Sequence, residues 1–205
     1  MRIAIGGMIA SGKSTLVNNL SKTLNIQAMR EFEADDIVFN TMLDWLYKGV
    51  KDVDMLLQNY FLHHNWSSQR DFKESLIQDK YIIENLIFAQ DFLRNDKEQL
   101  EIYNGIFNCY VKSSYKPDIY IILQIDWETF KMRINKRGRQ QEIENFNNNI
   151  DYFKRLIDVY IDKLVEQCKI YNIPYYVLNT IGLNEQETLE RSLEIINEVF
   201  VAKIK

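Results

Sequence analysis

The sequence predicts an α/β domain in which helices cover both faces of a five-stranded parallel sheet. Three observations support this prediction. Short apolar runs alternate with long segments of helical periodicity. The first apolar run leads through glycines directly into a helix. The 205 residues are enough for one such sheet with its helices, and no change of composition marks a second domain, so we expect one domain over residues 1–205.

The predicted strands are short apolar runs that are separated by helical segments. They comprise residues 2–5, 26–29, 81–83, 119–125 and 175–178. The first predicted helix starts at Ser14 and repeats leucine and valine at helical spacing. The later helices are predicted over residues 36–47, 53–65, 89–95, 98–113, 127–136, 146–171 and 185–200. Asp126 precedes one of these helices as a candidate N-cap.

The charge balance argues against a nucleic-acid polymer as a partner. The chain has 25 basic and 29 acidic residues, so it lacks the broad basic field that holds a phosphate backbone by counterion release. Cys109 and Cys168 have no histidine or cysteine neighbours at metal-ligand spacing, and we predict reduced thiols in the core. The first strand leaves no room for a signal peptide, and no later apolar run is long enough to span a bilayer. We therefore expect a cytoplasmic protein without membrane partners.

Residues 7–14 match the phosphate-binding pattern G-x-x-x-x-G-K-[ST], placed between the first strand and the first helix. Glycines let the backbone curl so that successive amides and the helix N-terminus stabilise phosphate oxygens. Lys13 would add its charge at the β- and γ-phosphates, and Ser14 would offer its hydroxyl to Mg²⁺. We therefore predict a P-loop that binds ATP and magnesium. Its residues are Gly7, Met8, Ile9, Ala10, Ser11, Gly12, Lys13, Ser14 and Thr15.

Arginines on and beyond the helix after the fourth strand predict a lid over roughly residues 136–146. Arg133 and Arg137 are one turn apart and share a helix face, Gly138 permits a break, and Arg139 follows it. Three guanidiniums beside a flexible glycine can close over a transferring phosphoryl group, stabilise its charge and exclude water. The alternative interpretation is a solvated basic helix end.

Two carboxylates follow predicted strands at the carboxyl edge of the sheet, where ligands of open α/β sheets bind. Glu31 follows the second strand and is a candidate base for the proton of an attacking hydroxyl. Glu84 ends the third apolar run and is a candidate magnesium ligand, directly or through water. The structural alternatives are an exposed loop acid for Glu31 and a helix-capping carboxylate for Glu84.

With these residues, the chain resembles the deoxynucleoside kinase family, which includes deoxycytidine, deoxyguanosine and deoxyadenosine kinases. Residues 7–16 are similar to the family's P-loop, and residues 133–142 look like its lid, R-x-x-x-R-G-R-x-x-E. Glu31 stands where the family's catalytic glutamate follows strand two, with Phe32 in place of the usual proline. The resemblance covers nearly the whole chain. It implies a salvage enzyme that transfers the ATP γ-phosphate to the 5′-hydroxyl of a deoxynucleoside, and it implies a homodimer.

The resemblance also implies an acceptor site. Tyr47 and Gln58 reproduce a spacing of the family, so Gln58 is implied to bond the base edge and Tyr47 the sugar 3′-hydroxyl. A side-chain amide donates and accepts together, which suits a base edge. Glu142 is implied as a second contact to the sugar. The candidates for stacking on the base are Phe61, Phe88 and Phe92.

Two departures from the family are expected to weaken transfer. The family has [DE]-R-S after strand three, which we align with residues 84–86, so a catalytic-site arginine is predicted to be missing. In the second departure, the family has an arginine where this chain has Asn65. Apart from the arginines, the family's base-selecting aspartate aligns near Gln90. The candidates to replace the arginines are Arg30, Arg70 and Arg94.

Two alternative functions stay open at this point. A nucleoside monophosphate kinase would explain altered arginines through an acceptor that already carries a phosphate, although such sites normally gain arginines. A pseudokinase that senses ATP or dATP would explain the missing arginine after Glu84, although Lys13, Glu31 and the lid are retained.

Overall fold

The structure of the protein is a computed structural model that describes residues 1–30, 36–72, 75–137 and 150–202. Its strands are β1 (Arg2–Gly7), β2 (Ala28–Met29), β3 (Leu76–Asp79), β4 (Ile119–Gln124) and β5 (Tyr175–Asn179). Its helices are α1 (Lys13–Leu24), α2 (Ile37–Tyr47), α3 (Val53–Ser68), α4 (Glu84–Phe92), α5 (Lys97–Ser113), α6 (Trp127–Arg137), α7 (Ile150–Ile170) and α8 (Glu185–Ala202).

The strands of these residues form one five-stranded parallel sheet in the order β2-β3-β1-β4-β5. β1 therefore lies at the centre, and Ile3, Ala4 and Ile5 are almost fully buried, as expected for a strand that is covered on both faces. The predicted fold is confirmed in this part of the chain. Because β1 leads into the P-loop segment, that segment lies at the middle of the carboxyl edge of the sheet.

Two apolar cores lie on the two faces of the sheet. One core contains Ala4 and Tyr120 together with side chains of α4, α5 and α7. The other contains Ile3 and Ile5 together with side chains of α1 and α8. The result is a three-layer α/β/α arrangement, in which alternate residues of the central strands face opposite cores.

The third strand differs from the prediction. It runs over Leu76–Asp79, whereas the sequence indicated residues 81–83. Lys80 has a φ of 67°, which ends the strand, and α4 already begins at Glu84 rather than at residue 89. Residues 81–83 are apolar because they are buried in the core, not because they pair in the sheet. The polar residues of β3 hid this strand from a search for apolar runs.

Most other predicted features agree with the structure. Asp126 caps α6, since its Oδ1 accepts a hydrogen bond from the Thr129 N–H at 2.8 Å. Cys168 is a free, buried thiol as predicted, but Cys109 is exposed, so its predicted core position is wrong. Among the helices of the described ranges, none combines the length and the apolar character needed to cross a membrane.

Candidate active site

The loop between β1 and α1 has the conformation that the P-loop prediction requires. Gly7 and Gly12 have φ angles of 139° and 100°, a region that favours glycine. A Cβ on Gly7 would lie 2.8 Å from the carbonyl oxygen of Leu123, so a larger residue would need this contact to shift. Gly12 is the N-cap of α1 and provides no side-chain cap, so the first amides of the helix can serve an anion instead.

Lys13 lies across this loop. Its Nζ donates hydrogen bonds to the carbonyl oxygens of Gly7, at 2.7 Å, and Met8, at 3.1 Å. The loop is closed by a further hydrogen bond from the Ser11 N–H to the Met8 carbonyl, at 3.1 Å. The ammonium is thus held beside the amides at which phosphate oxygens are expected.

Asp79 is a candidate site residue that the sequence analysis did not identify. It lies at the carboxyl end of β3, which pairs with β1, and its Oδ2 accepts a hydrogen bond from the Ser14 hydroxyl at 2.5 Å. A hydroxyl and a carboxylate are hard oxygen ligands, and a phosphotransfer site completes the shell of Mg²⁺ with phosphate oxygens and water. This donor set therefore fits magnesium. An acid directly after a buried strand was the available signal, but the misplaced third strand hid it.

Glu84 does not lie where the predicted magnesium role needs it. It is fully buried at the start of α4, where Tyr120 donates to its Oε1 and Tyr160 to its Oε2. The N–H of Gly7 also lies 3.4 Å from Oε2. Burial raises the pKa of Glu84, while the charge of Lys13 and the two tyrosine hydroxyls act in the opposite direction. Both oxygens are engaged inside the protein, so Asp79 replaces Glu84 as the candidate ligand.

Arg133 connects the P-loop to the segment after β5. Its Nη1 donates to the carbonyl of Ser11 at 2.7 Å, and its Nη2 donates to the carbonyl of Thr180 at 3.3 Å. Burial lowers the pKa of Arg133, and the charge of Asp126 opposes this shift. The structure therefore brings the first predicted lid arginine to the phosphate-binding loop.

Several predicted site residues lie outside what the structure describes. Glu31, Arg139 and Glu142 are not among the described residues, and the side chains of Tyr47 and Arg137 are not described. The roles assigned to them, as base, lid and sugar contacts, stay predictions.

Two aromatic residues predicted to stack on a base meet at Lys80. The Lys80 Nζ lies 4.9 Å from the ring centroid of Phe61 on α3 and 4.9 Å from that of Phe88 on α4. Such distances allow cation–π attraction. Phe92 instead packs against the ring of Tyr152, with centroids 5.8 Å apart. The structure thus groups Phe61 and Phe88 and gives Phe92 another neighbour.

Three buried amide side chains lie on α3 and α4, the helices that also carry these rings. Gln58, predicted to bond the base edge, is 2% exposed on α3. The Asn65 Nδ2 donates to the Lys80 carbonyl at 2.9 Å. Within the described residues, the Oδ1 of Asn65 and the Nδ2 of Asn85 are buried without a hydrogen-bond partner. Buried polar atoms usually have partners, so these two atoms are candidates for a bound water or a ligand group.

The position of β3 changes how the chain compares with the family pattern. The triplet at the end of this strand is Asp79-Lys80-Tyr81, not residues 84–86 as we aligned it. By the family resemblance, Lys80 then stands where an arginine was predicted to be missing. The same shift aligns the family's base-selecting aspartate with Asn85 instead of near Gln90. The predicted substitutes Arg70 and Arg94 are exposed; Arg70 stacks on Trp66, and Arg94 pairs with Asp91.

Comparison with known proteins identifies the family. A family model described as deoxynucleoside kinase matches residues 3–202. This chain belongs to the deoxynucleoside kinase family. This finding favours the deoxynucleoside kinase interpretation over a monophosphate kinase or a pseudokinase.

Named relatives of this kinase agree with the assignment. The deoxyguanosine kinase of Bacillus subtilis is 29% identical over 199 residues, which cover 93% of this chain and 90% of the relative. The deoxyadenosine kinase of Lactobacillus acidophilus is 30% identical over 169 residues, or 77% of each chain. A solved structure of deoxyadenosine kinase from M. mycoides, with products dCMP and a flexible dCDP bound, is 27% identical. It superposes with a TM-score of 0.78 and covers 97% of this chain and 100% of that one.

Proposed function

We propose that this kinase transfers the γ-phosphoryl group of ATP to the 5′-hydroxyl of a deoxynucleoside. One observation supports this proposal most strongly. Asp79 and Lys80 are consecutive residues at the end of β3, and Asp79 bonds Ser14 of the P-loop while Lys80 lies against Phe61 and Phe88. A phosphate-binding half and an aromatic, amide-lined half therefore meet at one point of the sheet edge.

On the donor side, the amides of residues 7–14 and the Lys13 ammonium hold the phosphates of ATP. Ser14 and Asp79 would hold Mg²⁺, which would neutralise the charge that develops on the phosphoryl group during transfer. Arg133, together with Arg137 and Arg139 of the lid, stabilises charge on the moving phosphoryl group and excludes water.

On the acceptor side, the base stacks on Phe61 and Phe88, and Gln58, Asn65 and Asn85 bond its edge. An amide left unpaired in a dry pocket would be costly, so these residues select a base that matches them. In the proposed reaction, Glu31 accepts the proton of the 5′-hydroxyl as the hydroxyl oxygen attacks the γ-phosphorus, and the bond from that phosphorus to the bridging oxygen breaks to release ADP. By the family resemblance, Tyr47 and Glu142 bond the sugar hydroxyls.

The cellular role follows from the same resemblance. We propose a cytoplasmic enzyme of nucleotide salvage that acts as a homodimer on small molecules. The net charge of −4 supports the absence of a nucleic-acid polymer among its partners.

The test is transfer of radiolabelled γ-phosphate from ATP with Mg²⁺ to each of the four deoxynucleosides and to their monophosphates. We compare the natural chain with Glu31→Gln, Asp79→Asn and the exposed control Asp162→Asn. We expect transfer to at least one deoxynucleoside. It should fall at least about a hundredfold in the first two variants, which lose the base and a magnesium ligand, and persist in the control.

Each other outcome contradicts the proposal in a recognisable way. Transfer only to monophosphates would indicate a monophosphate kinase. ATP binding without transfer to any acceptor would indicate a pseudokinase. Full activity of Asp79→Asn would show that Asp79 is not the magnesium ligand.

A further inference from the structure

Glu84 is a buried carboxyl group that the proposed phosphotransfer chemistry does not use. It is 0% exposed, and its partners come from three separate elements. Tyr120 belongs to β4, Tyr160 belongs to α7, and Gly7 ends β1 and begins the P-loop. The carboxyl group of α4 therefore joins the floor of the P-loop to two other elements, one of which is the helix that follows residues 138–149.

The close approach of Tyr120 also accounts for a glycine outside the P-loop motif. A Cβ on Gly6 would lie 2.6 Å from the Tyr120 hydroxyl oxygen and 2.7 Å from two ring carbons. The Tyr120 ring thus lies directly against β1, and only glycine leaves room for it. With Gly7 at a φ of 139°, two successive glycines adapt the end of β1 to this arrangement.

Burial of a carboxyl group is unfavourable, so its retention needs a reason. An apolar side chain would fill the same volume without desolvating a charge, and such replacements are often neutral or stabilising. Burial and the charge of Glu84 raise the pKa of Tyr120 well above its ordinary value, so this phenol keeps its proton and donates. Oriented hydrogen bonds therefore hold Glu84 between Tyr120 and Tyr160, and its side chain does more than fill volume in the core.

We propose that Glu84 is a positioning residue, which with Tyr120 and Tyr160 fixes the first peptide of the P-loop and ties it to α7. This inference rests on the kinase function proposed above. Glu84 engages the N–H of Gly7, while Lys13 is anchored on the carbonyls of Gly7 and Met8. The orientation of Gly7 therefore sets where the Lys13 ammonium lies. Loss of the Glu84 contacts should weaken ATP binding even though Glu84 does not touch ATP.

The experiment compares Tyr160→Phe with the control Tyr103→Phe. Each variant removes one hydroxyl oxygen from a fully buried ring, but the Tyr103 hydroxyl has no hydrogen-bond partner within the described residues. We measure the dissociation constant of Mg·ATP by calorimetry, the KM for ATP and for the deoxynucleoside, kcat and the melting temperature. Glu84→Gln and the double variant Glu84→Gln/Tyr160→Phe complete a double-mutant cycle.

We expect Tyr160→Phe to weaken ATP binding and to raise the KM for ATP about tenfold, the size of one lost hydrogen bond. The KM for the deoxynucleoside should change little, because the ring beside Phe88 is retained. The loss in the double variant should be smaller than the sum of the two single losses, because both substitutions act on the same set of hydrogen bonds. Tyr103→Phe should bind ATP like the natural chain.

A lower melting temperature with unchanged ATP binding in Tyr160→Phe would make Glu84 merely structural and overturn the inference. Equal effects of Tyr160→Phe and Tyr103→Phe would overturn it as well. If Glu84→Gln does not fold, Tyr160→Phe decides alone, since it deletes a single oxygen. Calorimetry measures ATP binding and so tests the role of Glu84 even if no deoxynucleoside is phosphorylated. A failure of this inference is therefore distinguishable from a failure of the proposed kinase function.

Discussion

Lys80 combines an unusual backbone conformation with contacts to several neighbouring side chains. Its φ of 67° is unusual for a residue other than glycine, and its side chain is almost fully buried. Asn65 fixes its carbonyl, and two aromatic rings flank its ammonium. Strained backbone conformations cluster at functional sites, and Lys80 directly follows the candidate magnesium ligand Asp79 in the sequence.

Lys80→Met should lower kcat about a hundredfold, because it removes the cation that, by the family resemblance, stands at the position of the arginine after strand three. Lys80→Arg should keep a larger share of the activity, since it retains the charge. The measurement is steady-state kinetics with ATP and the preferred deoxynucleoside, with Lys112→Met on the exposed side of α5 as the control. A normal kcat in Lys80→Met with a changed KM for the deoxynucleoside would limit Lys80 to packing between the rings.

At the scale of secondary-structure elements, α6 begins at the N-cap that the sequence predicted and carries an arginine that contacts the P-loop. Its start is fixed by the Asp126 cap, and one face of the helix carries Arg133 to the carbonyl of Ser11. Hydrogen bonds from the side chain and backbone of Thr129 lower the pKa of Asp126 below its ordinary value. The carboxylate form of the cap is therefore the form that stabilises the folded protein.

Asp126→Ala should lower the free energy of unfolding by about 1 kcal/mol at neutral pH, a usual value for a lost N-cap. The pKa of Asp126 is lower in the folded than in the unfolded chain. Its contribution is therefore present above the unfolded-state pKa and is lost as the pH falls through the folded-state pKa. Urea unfolding at neutral and acidic pH measures this difference. Asp126→Asn, which keeps a capping oxygen without a charge, is the control, and an equal loss in Asp126→Ala at both pH values would contradict the explanation.

At the scale of the whole molecule, the sheet order brings distant segments to one edge. β3 precedes β4 in the chain, yet both flank β1, so Asp79 and Leu123 reach the P-loop from opposite sides. The two cores on either face hold this edge in place. On the outside, α3 and α5 expose large apolar side chains, among them Leu56 and Ile102.

We expect a homodimer in solution. Exposed apolar residues on long helices favour pairing between copies, and closed two-fold dimers are the commonest protein assemblies. Light scattering coupled to size-exclusion chromatography should give about twice the 24.5 kDa of one chain. The mass of a single chain at micromolar concentration would contradict this expectation.

The accuracy of the sequence-based predictions depended on how local each signal was. The P-loop and the Asp126 cap are made by neighbouring residues, so their patterns were readable directly. The third strand was misplaced because buried residues are usually apolar whether or not they pair in a sheet, so an apolar run alone does not identify a strand. That error gave Glu84 a metal role, left Asp79 unnoticed and aligned Asn85, instead of Lys80, with the family's arginine.

The order of residues along the chain therefore determined the fold class, the phosphate-binding loop and the family, because each depends on periodicity or on residues close in sequence. Folding decided which distant side chains meet. The contact of Ser14 with Asp79, the burial of Glu84 between two tyrosines and the meeting of Phe61 and Phe88 at Lys80 all join separate elements. Such contacts arise from strand order and helix packing, which no short sequence pattern encodes.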